Sequence, residues 1–316
     1  MPDATRVLLS CAVGFEDLVR GDLMEQYAVR SRQVGPGQVS AEQLPPVLNT
    51  MIDTVALPWD GNPADLRALV TPLVPDVLGF RVQAGDPVLR EELVKTVVAA
   101  TGWVNRPGDW QVNLDPEREL VEIGPLAWAA RFGRMRRLPA TTPPAVAAGL
   151  VRLAKLKPGM TLLDPCGGVA TIPIVDAIER PDGHAWSIDS DNAAVTDATA
   201  NVADRDLTDR IDVRRGDATA LELPDLSVDR VISDLPFGKK VGSNQENRVL
   251  YPAILREVER VLSVDGRVVL LTDDKRFFEQ AVQRARGLKV VTQRVVRYNN
   301  VTPTAYVLRR SRKPRR

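Results

Sequence analysis

Histidine is almost missing from this 316-residue chain: there is one, His184. Cysteine is nearly as scarce, with Cys11 and Cys166 far apart. One such pair is no disulfide framework, and one histidine with two cysteines cannot build a structural zinc cluster. The chain is therefore read as metal-free and as belonging to a reducing, cytoplasmic compartment. His184 falls at the start of a predicted strand and reads as a packing or surface residue. No imidazole is then at hand as a general base, which suits a reaction that base strength does not limit. No apolar run approaches the roughly 18 residues that a membrane helix needs. The opening MPDATRVLLSCAVGFED has too short an apolar stretch for a leader and carries acids behind it. There is no GxxxxGK[ST] loop, which argues against a nucleotide triphosphatase. Internal repeats and long low-complexity segments are absent as well.

What is present is an ordinary globular composition, 44% hydrophobic and 26% charged. It excludes collagen-like, wholly disordered and coiled-coil chains. The length suggests about two domains. The net charge of +1 is unevenly spread. Residues 1–140 hold 14 Lys and Arg against 18 Asp and Glu, whereas residues 141–316 hold 28 against 23. The final RRSRKPRR contributes six of those basic groups. Such a tail can grip phosphates, or it can be a solvated end.

The C-terminal half alternates strand and helix patterns. Strands are predicted near 160–163, 184–188, 211–214, 230–233 and 268–272, with helices over 171–180, 193–203, 250–262 and 276–286. That alternation predicts a parallel sheet covered by helices on both faces. Two last strands, 289–297 and 305–309, have no helix-length segment between them. They predict an appended antiparallel hairpin, with Asn299 and Asn300 in its turn. The N-terminal half mixes short strands with helices over 15–26, 64–73 and 89–101, an α+β pattern. LPATTPP, residues 138–144, reads as a linker before an amphipathic helix over 145–156.

Two segments carry chemistry. The first is LLDPCGGVATI, residues 162–172, in which a strand ends at Asp164, a glycine turn follows and a helix begins near Thr171. Such a turn brings backbone amides up to a ligand. A second strand ends at Asp189, whose carboxylate can accept two ribose hydroxyls. A third leads to Asp217, placed to bond an adenine amine. Each alone is common as plain structure. Three in order at successive strand ends point to one ligand at the carboxyl edge of the sheet. The second segment is ISDLPFGKKVG, residues 232–242, at the same edge. Asp234 and the Leu235 carbonyl can accept hydrogen bonds from an exocyclic amine. Pro236 fixes the backbone, Phe237 offers a stacking face, Gly238 allows a tight turn, and Lys239 and Lys240 can meet phosphates. Cys166, Trp103 and Trp110 read as packing residues.

On these residues the chain resembles the class I S-adenosyl-L-methionine-dependent methyltransferases. DPCGG resembles their motif I, Asp189 the ribose-binding acid, Asp217 the adenine-side acid, and SDLPFG the D/N-P-P-Y/F motif of amino-group methyltransferases. The run from SDLPFGKK to GRVVLLT is similar to THUMP-domain tRNA guanine-N2 methyltransferases, as is VLLSCAVGFEDLVRGDL near the start. The resemblance implies an α/β Rossmann-like domain over 139–316, seven-stranded with the hairpin. It implies a ferredoxin-like subdomain over 1–55 and a THUMP-like domain over 56–138 that binds a tRNA acceptor end. It places the cofactor, S-adenosyl-L-methionine, on Asp164, Cys166, Gly167, Gly168, Thr171, Asp189, Asp217 and Ala218. Asp234, Leu235, Pro236 and Phe237 take the catalytic role, and Gly238, Lys239 and Lys240 the substrate contacts. A monomer without metal is expected. The family pattern D-P-x-C-G-S-G-T is altered here: Gly167 stands for its Cys, Val169 for its Ser and Ala170 for its last Gly. If that last position is left-handed, alanine costs about 1–2 kcal/mol there. Two other readings fit the same residues: an enzyme for a small metabolite, and a non-catalytic RNA-binding protein.

Overall fold

A computed structural model describes residues 7–124, 132–236 and 244–311. The chain forms two compact units, Met1–Arg134 and Met135–Arg316. Among the described residues no helix is long and apolar enough to cross a membrane.

The N-terminal unit runs β1 (Val7–Cys11), α1 (Glu16–Tyr27), β2 (Ser31–Gly35), β3 (Gln38–Ala41), β4 (Ile52–Pro58), α2 (Leu66–Val70), β5 (Phe80–Val82), α3 (Pro87–Thr101), β6 (Val112–Asp115) and β7 (Leu120–Ile123). Its strands form one sheet in the order β2-β3-β1-β4-β7-β6-β5. The alternation along each strand is a core-facing set, including Leu9, Val39, Val55, Val112 and Val121, all buried. The division expected at 55/56 falls inside β4. There Val55 pairs with Leu9 on one side and Ile123 on the other, so the sheet continues across that position. Helix α2 is shorter than its predicted span. A 3-10 turn over Pro63–Asp65, capped by Asn62, precedes it, and Pro72 follows.

The C-terminal unit runs α4 (Pro144–Ala154), β8 (Thr161–Asp164), α5 (Thr171–Glu179), β9 (His184–Asp189), α6 (Asn192–Ala203), β10 (Ile211–Arg215), β11 (Val228–Asp234), α7 (Asn244–Val261), β12 (Leu262–Thr272), α8 (Lys275–Ala285), β13 (Leu288–Val295) and β14 (Thr304–Arg310). Its seven strands lie in the order β10-β9-β8-β11-β12-β14-β13. The first five are parallel, and β14 and β13 are antiparallel, the hairpin that the missing crossover helix predicts. Winding proceeds outward from β8 to β10, then returns to the other side of β8 with β11. The reversal opens a crevice at the carboxyl ends of β8 and β11, where open α/β sheets take their ligands. Helix α4 is buried except at Arg152 and packs against α5, β11 and β12. Tyr251, Phe278 and Tyr306 stack in the core behind β12, with ring centroids 5.9 Å and 4.6 Å apart.

Fully buried Asn201 on α6 ties the chain before α4 to the loop after β8. It accepts from the Arg136 amide (2.8 Å) and donates to the carbonyls of Arg136 (3.1 Å) and Val169 (3.2 Å). Asn201→Ala leaves these groups unpaired, at a cost of about 2–3 kcal/mol. Scanning calorimetry should show the C-terminal unit melting about 5–10 °C lower.

Candidate active site

Strand β8 delivers Asp164, 2% exposed, to the crevice. Its Oδ1 accepts from the Cys166 amide (3.2 Å) and from Ser233 Oγ on β11 (2.6 Å). Burial pushes its carboxyl up to about 7, and Asp189 and Asp234 nearby add to the shift while the two hydrogen bonds oppose it. The loop beyond is shaped by its glycines. Gly167 donates to the Ile188 carbonyl at 2.8 Å, and a Cβ there would sit 2.2 Å from Ser187 Oγ, so β9 approaches too closely for any side chain. Gly168 has φ +53 and open space where a Cβ would stand. Ala170, where the family pattern has glycine, is also left-handed, φ 67, and caps α5. The loop nonetheless closes, with the Ala170 amide donating to the Gly167 carbonyl (2.8 Å) and Ile174 donating to the Ala170 carbonyl (3.0 Å). Thr171 begins α5 with its Oγ1 buried and unpartnered among the described residues.

Asp189 closes the loop from β9. Its Oδ2 accepts from the Gly168 amide (2.8 Å) and its Oδ1 from Asp191 (2.9 Å). Asp189, expected from the sequence to accept ribose hydroxyls, is seen here to hold the glycine loop in place. Asp217 follows β10 and is exposed; the Thr219 amide and hydroxyl, at 2.8 and 2.7 Å, hold its carboxyl below the usual range. Ala218 beside it is buried. The fold places Asp164 in the field of both Asp189 and Asp234. It sets Asp217 apart, three strands from β11, or about 14 Å along the edge. Burial beside these acids drives the Cys166 thiol far up, so it stays protonated and packs on the core.

Strand β11 ends at Asp234. Its Oδ2 accepts from Thr142 Oγ1 at 2.7 Å, while its Oδ1 is buried and unpartnered among the described residues. Burial lifts this carboxyl to about 7, against the Thr142 hydrogen bond. Leu235 is buried, its amide donating to the Leu271 carbonyl (2.9 Å). The Pro236 carbonyl accepts from Tyr251 Oη (2.8 Å), which also meets Thr272 Oγ1 (2.9 Å). Phe237, Gly238, Lys239 and Lys240 lie outside the described residues. Sequence reasoning missed Thr142, Ser233 and Tyr251. Thr142 lies 92 positions before Asp234 in a stretch read as linker, and no spacing signals it. Tyr251 had a signal, standing fifteen positions after Pro236 in the same quoted run.

His184 stands outside this cluster, its ring edge-on to Trp186 at 4.9 Å. Trp103 is buried, and Trp110 lies under the Arg81 guanidinium at 4.3 Å. Among the described residues no group of three His, Cys, Asp or Glu could hold a metal ion.

A seven-stranded sheet with β14 reversed between β12 and β13, a glycine loop after β8 and acids at successive strand ends define a class I methyltransferase domain. The chain belongs to the UPF0020 family, described as RMKL-like methyltransferase domain, which matches residues 131–303. It is similar to mouse tRNA (guanine(6)-N(2))-methyltransferase THUMP3, 35% identical over 191 residues, covering 55% of this chain and 37% of that one. It is also similar to mouse U6 snRNA (guanine-N(2))-methyltransferase THUMPD2, 38% identical over 129 residues, 41% of this chain and 24% of the other. The matched segment thus spans between 24% and 37% of the length of these relatives. The crystal structure of TrmN from Thermus thermophilus shares the fold, with a TM-score of 0.68 at 22% identity over 97% of this chain and 99% of that one.

The cofactor of this class is S-adenosyl-L-methionine, and the residues fit it. Open space faces Gly168, an unpartnered hydroxyl sits at the head of α5, and carboxylates stand at the ends of β9 and β10.

Two outcomes follow from this geometry. Ala170→Gly relieves the left-handed alanine and should stabilise the unit by about 1 kcal/mol, read as a raised melting midpoint; a lowered one would contradict the strain. The second concerns pH. The folded carboxyls of Asp164 and Asp234 sit near 7, above the ordinary 3.8. Between those values the folded chain binds more protons than the unfolded one, so their contribution to stability falls as pH rises. Asp234→Asn removes one such group. Its melting midpoint relative to the natural chain should rise progressively from pH 4 to pH 8; a constant difference would refute the shift.

Proposed function

We propose that this protein transfers a methyl group from S-adenosyl-L-methionine to the exocyclic N2 amine of a guanosine in tRNA, near the acceptor stem. The observation that carries the reading is Asp234, with one oxygen held by Thr142 and the other buried and open to a donor. The names of the relatives, both guanine-N2 enzymes, support the choice of amine, and the tRNA enzyme supports the choice of RNA.

The cofactor supplies a methyl group on a cationic sulfonium, so positioning and desolvation provide most of the catalysis. Asp234 Oδ1 and the Leu235 carbonyl accept the two amine hydrogens and aim the nitrogen. Thr142 keeps Asp234 in one rotamer, and Tyr251 steadies the Pro236 carbonyl. With the cofactor bound, Asp234 would take the amine proton, or relay it to water, as the methyl group passes to the nitrogen. Phe237 holds the ring of the base, and Lys239 and Lys240 meet phosphates. The target nucleotide must leave its stack, since its amine is otherwise unreachable. The N-terminal unit is the RNA-binding part of this scheme. The protein acts as a cytoplasmic monomer.

The test uses labelled cofactor and bulk tRNA, with the product nucleosides separated. Label should appear in N2-methylguanosine. Asp234→Asn should lower transfer by about 100-fold or more while cofactor binding, read by calorimetry, persists. The rate for the natural chain should climb with pH through a midpoint near about 7, where Asp234 is half ionised, and level off above it. Full transfer by Asp234→Ala would end the proposal.

A further inference from the structure

The β13–β14 connection has a use that the reading above leaves open. Because β14 runs against β12, with Thr272 opposite Thr304, the tip over residues 296–303 projects from the carboxyl edge that carries Asp234. The tip is built rigidly. The Val296 amide donates to the Pro303 carbonyl (2.9 Å), and Tyr298 and Val301 exchange hydrogen bonds of 3.2 and 2.8 Å. Asn299 and Asn300, φ 44 and 62, form the left-handed pair that a two-residue hairpin turn demands. Tyr298 at the head of this turn is half-buried. Its backbone is fully engaged, yet its hydroxyl makes no hydrogen bond among the described residues. That hydroxyl lies in the field of Asp234 and Asp273, which with burial hold it protonated.

We infer that the Tyr298 hydroxyl is a substrate-binding donor that reads a carbonyl oxygen on the base whose amine Asp234 receives. The assignment rests on the amine-methyltransferase reading and deepens it. Asp234 Oδ1 can only accept while ionised, so it recognises the amine; an acceptor on the same base needs a donor. The tip stands about two strand spacings from β11, roughly 10 Å along the edge. One planar base with a hydrogen bond at each end fills a gap of that order. Guanine, with an amine at one end and a carbonyl at the other, meets both groups. A base with the amine but without the carbonyl meets only Asp234.

The experiment compares two acceptor RNAs that differ only at the methylated guanosine, one natural and one with 2-aminopurine, which keeps the amine and lacks the carbonyl. Each is assayed with the natural chain and with Tyr298→Phe. For guanosine, Tyr298→Phe should lower kcat/KM about tenfold, chiefly through KM. For 2-aminopurine it should change kcat/KM less than about twofold, because that hydrogen bond is already gone. Cofactor affinity and melting midpoint should stay at their natural values. Equal losses on both RNAs, or none on guanosine, would overturn the role of Tyr298 and leave the activity standing. Failure of the natural chain to methylate any guanosine would overturn the activity, and this assignment with it.

Discussion

The hydrogen bond from Ser233 to Asp164, 2.6 Å long and wholly buried, joins two parallel strands at the point where the sheet reverses its direction of winding. Everything at the carboxyl edge is referred to that junction. Asp164 begins the glycine loop on one side of it, and Asp234, one residue beyond Ser233, ends β11 on the other. The strand reversal thus sets the glycine loop and the proposed amine acceptor side by side at one edge of the sheet.

Around the junction the structure spends stability on shape. Ala170 is held left-handed, and two carboxylates are kept where their charge is costly. Such strain persists only where neighbours over-determine it. Here the neighbours are Asp189, which grips the Gly168 amide, and Asn201, which grips the Val169 carbonyl from the other side. Ala170 therefore keeps its left-handed conformation at a cost to the loop. Asp189 and Asp234 both raise the proton affinity of Asp164, which makes that point of the edge a place where a cationic group is favoured.

Much of this was legible along the chain, for definite reasons. The alternation of β-branched runs with helical spacing fixes a parallel sheet, and the missing crossover after residue 288 forces the last pair to run antiparallel. Asp164, Asp189 and Asp234 are visible because each closes a strand. The N-terminal unit was harder to read. Its strands are three to seven residues long, and β4 belongs equally to the strands before and after it, which no local pattern reveals.

The sequence by itself determined where the candidate residues stand along the strands, because strand ends, glycine turns and the Asp-Leu-Pro-Phe segment are local patterns written in consecutive positions. Tertiary structure alone decided how those residues are held. Thr142 reaches Asp234 across 92 positions and Ser233 reaches Asp164 across 69. The hairpin turn at Asn299 and Asn300, read only as a turn, arrives at the acceptor edge because β14 pairs with β12. Hydrogen bonds between distant segments depend on the register of the sheet and the packing of its helices. Neither leaves a period or a spacing in the sequence.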